Sequence, residues 1–72
     1  MKAIQTLTNS QSIEIKTTNN SDFLYYKYSD ENNWSLTEIE FLPRENGEDE
    51  ELVPAFTTKE GSIFYIDEFI TL

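Results

Sequence analysis

The fold is decided by the stretch Phe23-Leu24-Tyr25-Tyr26-Lys27-Tyr28, Ser29, Asp30-Glu31-Asn32-Asn33 and Trp34-Ser35-Leu36-Thr37-Glu38-Ile39-Glu40-Phe41-Leu42. Aromatic and β-branched runs that are bounded by polar turn residues are typical of β-strands. The polar segment between the two runs has the composition of a turn. The sequence therefore predicts a β-hairpin centred on residues 30–33.

The second run of this hairpin breaks strict alternation. Trp34 and Leu36 share one parity, whereas Ile39 and Phe41 share the other. One extra residue near 37–38, a β-bulge, would place all four side chains on one face. The alternative is a strand that is buried on different faces at its two ends, and we prefer the bulge, with Trp34 in the core.

Strand patterns recur in the sequence on both sides of the hairpin. Residues 13–15 alternate, and the threonine content of residues 2–8 favours a strand over a helix. Pro54 has no N–H to donate, so it predicts that residues 52–57 form an edge strand or an extended arm. Gly61 is predicted to supply a positive φ in a turn before a strand at 62–66. Residues 67–72 either continue that strand or form one helical turn capped by Asp67.

These elements predict one domain over residues 1–72, mainly β, with four or five antiparallel strands. We expect an antiparallel meander that is rolled, sandwiched or closed into a small barrel, with a short C-terminal helical turn. The alternative is an α+β arrangement in which one short helix covers a twisted sheet.

The acidic residues are concentrated in the second half of the chain. The net charge is −9; residues 1–36 carry three lysines and four carboxylates, whereas residues 37–72 carry two cations and ten carboxylates. A dense negative surface speeds association with a basic partner. We therefore predict a partner-binding surface with these acidic members: Glu38, Glu40, Glu45, Glu48, Asp49, Glu50 and Glu51.

The aromatic run offers a second predicted contact surface. A strand with aromatic side chains on both faces cannot bury all of them in so small a domain. Most of these side chains are expected to pack in the core or in cross-strand pairs. We assign Tyr26 and Tyr28 to the partner-binding surface. The opposite face, with Phe23 and Tyr25, is the alternative.

Composition excludes several kinds of chemistry. The chain has neither cysteine nor histidine, so disulfides, zinc sites built on those residues, thiol chemistry and imidazole catalysis are excluded. No cofactor is expected, and the pair Glu38 and Glu40 lacks the cleft walls that a catalytic pair requires. The acidic run at 45–51 lacks the ligand pattern of an EF-hand, so a calcium-responsive module is a minor alternative. Direct nucleic-acid binding is disfavoured, because it needs a basic footprint.

These observations predict a non-enzymatic, acidic protein-binding module. The specific hypothesis is an inhibitor that mimics nucleic acid and blocks a basic nucleic-acid-binding protein. The alternative is a structural homo-oligomer, such as a homodimer, in which the acidic run serves solubility. The sequence shows neither a secretory signal pattern nor a long apolar run, so we expect a cytoplasmic protein that does not interact with membranes.

Overall fold

The computed structural model describes residues 1–44 and 51–72 of the chain. The described part is mainly β, as predicted, and has eight strands rather than the four or five expected. The strands are β1 (Lys2–Thr6), β2 (Ser12–Thr17), β3 (Phe23–Tyr28), β4 (Ser35–Glu38), β5 (Glu40–Pro43), β6 (Leu52–Thr57), β7 (Ile63–Tyr65) and β8 (Ile70–Thr71). Two 3-10 turns, at Thr8–Ser10 and Ile66–Glu68, connect β1 to β2 and β7 to β8.

The described strands form two antiparallel sheets. The first has five strands in the order β4-β3-β2-β1-β8, and the second has three in the order β5-β6-β7. The predicted meander is therefore present as β1 to β4, and the predicted hairpin is β3–β4 with Tyr26 opposite Ser35. These described strands do not close into a barrel, because the final strand returns to β1 instead of joining the two sheets.

The core lies between the two sheets. The five-stranded sheet contributes the buried inward side chains, and the three-stranded sheet contributes Phe56, which is fully buried. Partly buried apolar side chains, among them Phe64 and Phe69, complete the cluster. The inward residues of the five-stranded sheet are Ala3, Ile13, Ile15, Leu24 and Tyr26.

The chain passes from one sheet to the other at Ile39. The run from Trp34 to Leu42 is thus two strands in different sheets, and the predicted bulge near 37–38 is wrong. Ile39 packs against the core between them, while its backbone N–H donates to the carbonyl of Asp22 at 2.8 Å. A change of sheet shifts the alternation by one residue just as a bulge does, so the sequence pattern fits both.

Pro54 lies in β6, the central strand of the small sheet, so the predicted edge position of residues 52–57 is wrong. At Pro54 itself, however, only β5 is paired, through Phe41, because the pairing with β7 begins at Ala55. Since β6 has a single neighbour at this point, the missing proline N–H costs no bond to β7.

The turn and the C-terminal segment agree with the prediction in part. Gly61 adopts φ +90° in the turn between β6 and β7, a backbone conformation that glycine adopts without the cost of a Cβ. The predicted helical turn near the C-terminus is a 3-10 turn, and the residue at its N-cap position is Tyr65. Asp67 lies inside this turn and does not cap it; its carboxylate binds Arg44 instead.

Candidate functional site: a lysine-aromatic sheet face

Three lysines gather on the outer face of the five-stranded sheet, the face turned away from the core. Lys2 of β1 lies opposite Lys16 of β2, and Lys16 lies opposite Tyr25 of β3. Lys27 is one row further along β3, opposite Glu14. Paired residues in an antiparallel sheet point to the same face, so the register alone brings these side chains together.

Trp34 lies among the three ammonium groups. The Nζ atom of Lys16 is 4.3 Å from the centre of the indole ring, and those of Lys27 and Lys2 are 5.6 Å and 5.8 Å from it. Ammonium groups over an aromatic face are attracted by the ring quadrupole, by roughly 0.5–1 kcal/mol each at exposed sites. The indole thus offsets the mutual repulsion of the lysines. Trp34 is half-buried on the outer face, so its predicted place in the core is wrong.

A groove lies beside this cluster, at the end of the β2–β3 hairpin where the turn joins the two strands. Its volume is about 670 Å³, within the range of small-molecule sites. Lys16 belongs both to the cluster and to the groove, because its Nζ is also 5.4 Å from the ring centre of Tyr25. The other lining residues are the polar turn residues Thr17, Thr18, Asn19 and Asn20 and the side chains of Phe23, Tyr25 and Leu36.

The polar turn that forms one wall of the groove is held by its own side chains. The Thr18 hydroxyl donates to the carbonyl of Asn20 at 2.6 Å and accepts from the Asn20 N–H at 3.0 Å. The Asn20 side-chain oxygen accepts from the N–H of Asp22 at 2.9 Å. These bonds fix the turn, so the wall of the groove is formed before any ligand binds.

We call this surface the lysine face: Lys2, Lys16, Lys27, Tyr25, Trp34 and the groove beside them. Glu14 and Glu38 are the carboxylates of the outer strand positions, so three lysines outnumber two glutamates here in a chain whose net charge is −9. The N-terminal ammonium group, which donates to the Thr17 hydroxyl, adds a further positive charge at the margin.

The described acidic residues are spread over several places. Glu38 and Glu40 are both exposed, but the crossing at Ile39 puts them in different sheets. Glu51 is exposed, and the predicted binding residues Glu45, Glu48, Asp49 and Glu50 lie outside the described residues, as does most of the run considered for calcium. The acidic stretch predicted as one surface is thus not gathered on one face in the part that the structure describes.

Arg44 neutralises part of the acidic half. Its guanidinium group pairs with Asp67 and, at 3.0 Å, with Glu68, and it lies 5.0 Å from the ring centre of Tyr65. The hydrogen bond to Asp67 raises the pKa of Arg44. This contact joins the end of β5 to the second 3-10 turn, so its first role is structural.

The two tyrosines predicted to bind a partner lie on the inner face. Tyr26 is only 3% exposed and its hydroxyl accepts from the backbone N–H of Lys59, so the structure removes it from the candidate surface. Tyr28 is half-buried, and its hydroxyl donates a hydrogen bond to the Glu60 carboxylate. It borders a polar hollow of about 310 Å³ together with Gln11, Asp30 and Glu31.

Tyr28 makes the stability of the protein depend on pH in the alkaline range. Burial, followed by the hydrogen bond to Glu60, raises the pKa of Tyr28 from 10.0 to about 12. Because the folded state favours the protonated phenol, its contribution is complete below pH 10 and is lost as the pH rises toward 12. In urea titrations between pH 9 and pH 12 we expect the free energy of unfolding to fall more steeply for the natural chain than for Tyr28→Phe. Parallel curves would contradict this assignment.

Comparison with known protein families, with curated proteins and with solved structures finds no match. Among the described residues, no helix has the length and apolar character needed to cross a membrane. Sequence reasoning missed the lysine face because it counted charge along the chain, whereas the register of the strands brings lysines of β1, β2 and β3 together.

Proposed function

We propose that this protein is a non-enzymatic binding module that uses the lysine face to hold an extended anionic partner. The observation that carries the proposal is the convergence of Lys2, Lys16 and Lys27 on one indole ring. Three cations with aromatic surface between them, on a rigid sheet, match a partner that presents successive negative charges. The acidic remainder of the molecule restricts such a partner to this face.

The net negative charge does not prevent this binding at physiological salt. The Debye length there is about 8 Å. The shortest dimension of the molecule is 24 Å, so carboxylates on the far side are screened from a ligand on the lysine face. At very low salt the Debye length approaches about 30 Å, and the far carboxylates then repel the same ligand.

The test is a titration with heparin, a polyanion without bases, followed by the fluorescence of Trp34. The chain has one tryptophan, so the signal comes from the centre of the proposed site. We expect saturable binding at about 0.1 M salt, where the Debye length is about 10 Å. Lys16→Gln should weaken it roughly tenfold, since a hydrogen bond to a charged group contributes about 1.5 kcal/mol or more.

The matched control is Lys59→Gln, which removes the same charge from the exposed turn between β6 and β7. Binding by this variant should equal that of the natural chain. Equal weakening by both variants, or no fluorescence response at all, would contradict the proposal.

Two hypotheses from the sequence stay predictions beside this one. The inhibitor that mimics nucleic acid stays a prediction, because four of its seven acidic residues, Glu45, Glu48, Asp49 and Glu50, lie outside the described residues. The homo-oligomer has a specific observation in its favour, since Phe41 and Leu52 are 62% and 55% exposed on neighbouring strands. The cytoplasmic location also stays a prediction.

A further inference from the structure

The groove of the lysine face offers aromatic and apolar surface, which a partner bound by charge alone would not need. A polyacid needs only the three ammonium groups, yet the neighbouring groove offers two half-buried aromatic rings, Phe23 and Tyr25, and the apolar side chain of Leu36, which is 57% exposed. Flat aromatic surface next to a cation is the combination on which unpaired bases stack, with their phosphates held alongside.

We infer that the anionic partner is single-stranded nucleic acid, an inference that rests on the proposed function and names its ligand. A base would occupy the groove against Tyr25, and its phosphate would meet Lys16, which is shared by the groove and the Trp34 cluster. The next phosphates along the strand would meet Lys2 and Lys27. In the groove wall, the amide of Asn19 and the side-chain NH2 of Asn20, whose oxygen is held by the Asp22 N–H, are suited to the polar edge of a base.

The geometry favours a single strand over a duplex. Bases in a duplex are stacked on one another and expose only their edges in the grooves, which a helix or a two-stranded ribbon enters. A broad sheet face with a side groove reaches unstacked bases instead. Single-stranded partners also bend easily, so they can follow the lysines without a cost in duplex deformation.

The number of lysines limits the strength of the salt dependence. Each neutralised phosphate of a single strand contributes about 0.7 to the slope of log K against log salt, so three lysines give a slope of about −2 at most. A basic footprint over a whole domain, whose absence disfavoured nucleic acid in the sequence, is not needed for so few phosphate contacts. Here only the three lysines of the lysine face contact phosphates, so we expect weak binding that covers only a few nucleotides.

The experiment compares three probes on the intact chain: a short oligothymidylate, inorganic polyphosphate and polyglutamate, each followed by Trp34 fluorescence at about 0.1 M salt. Oligothymidylate should bind more tightly than polyphosphate by roughly five- to 150-fold, the affinity equivalent of one stacked base. Tyr25→Ala should remove this preference, whereas Lys59→Gln should retain it. Leu36→Ser gives a second variant at an exposed groove position, and circular dichroism checks that both variants fold.

The outcomes separate the two proposals. Oligothymidylate that binds no better than polyphosphate, while heparin still binds, overturns the nucleic-acid inference and leaves the anionic-partner proposal in place. Tighter binding of polyglutamate than of oligothymidylate also overturns it, and identifies an acidic protein as the partner. Failure of all these polyanions overturns both proposals.

Discussion

Phe56→Ala is expected to lower the free energy of unfolding by about 3–5 kcal/mol. Phe56 is completely buried in the central strand of the small sheet. Its ring centre lies 5.7 Å from those of Tyr26 and Phe64 and 5.9 Å from that of Phe69. Removing the ring therefore takes away the contact through which the two sheets share one core, and leaves a cavity among groups that are themselves held in strands.

The size of this loss matters because the domain is small. A chain of 72 residues has a total stability of about 4–11 kcal/mol at the usual value per residue. The loss is thus a large fraction of the total stability, and a urea titration followed by circular dichroism should show a clearly lower midpoint. Phe41→Ala is the control: this phenylalanine, in the adjacent strand, is 62% exposed, and its removal should cost less than about 0.5 kcal/mol. If the two variants lost the same free energy of unfolding, Phe56 would not lie in the core between the two sheets.

The fold class followed from local patterns, but the point at which the chain passes from one sheet to the other did not. The hairpin of β3 and β4, the strand at 13–15 and the positive φ of Gly61 depend on neighbours in sequence, and all three are present. The crossing at Ile39 depends on which sheet the chain joins next, and a one-residue change of parity does not distinguish that from a bulge. The central position of β6 likewise depends on β7, which lies beyond a turn.

The lysine face was only partly accessible to sequence reasoning. The turn at residues 30–33 allows Lys27 and Trp34 to be placed side by side in the predicted hairpin. The position of Lys16 depends on the register of β2 with β3, and that of Lys2 on the register of β1 with β2, which the 3-10 turn at Thr8–Ser10 connects. The polar residues of the connecting turns do not specify a loop length, so neither Lys16, the closest cation to the indole ring, nor Lys2 could be assigned.

The second large effect concerns Tyr26, whose ring and hydroxyl stabilise the core in different ways. The ring packs against Phe56 and, edge to face at 6.3 Å, against Tyr28. The hydroxyl accepts a hydrogen bond from the backbone N–H of Lys59 at 3.0 Å, and so joins β3 to the turn between β6 and β7. Tyr26→Ala should therefore cost about 3–5 kcal/mol, close to the cost of Phe56→Ala.

Tyr26→Phe separates the two contributions. It retains the ring and leaves the Lys59 N–H without its partner, which should cost about 1–3 kcal/mol. Tyr25→Phe, at the next position but on the outer face, should change the stability by less than about 0.5 kcal/mol. If Tyr26 were a partner-binding residue, Tyr26→Phe would weaken the binding of heparin and leave the stability unchanged. We expect urea titrations to show a lower stability for Tyr26→Phe, and heparin titrations of the same samples to show unchanged binding. The reason is that the Tyr26 side chain is only 3% exposed and lies on the inner face of the sheet, away from the lysine face.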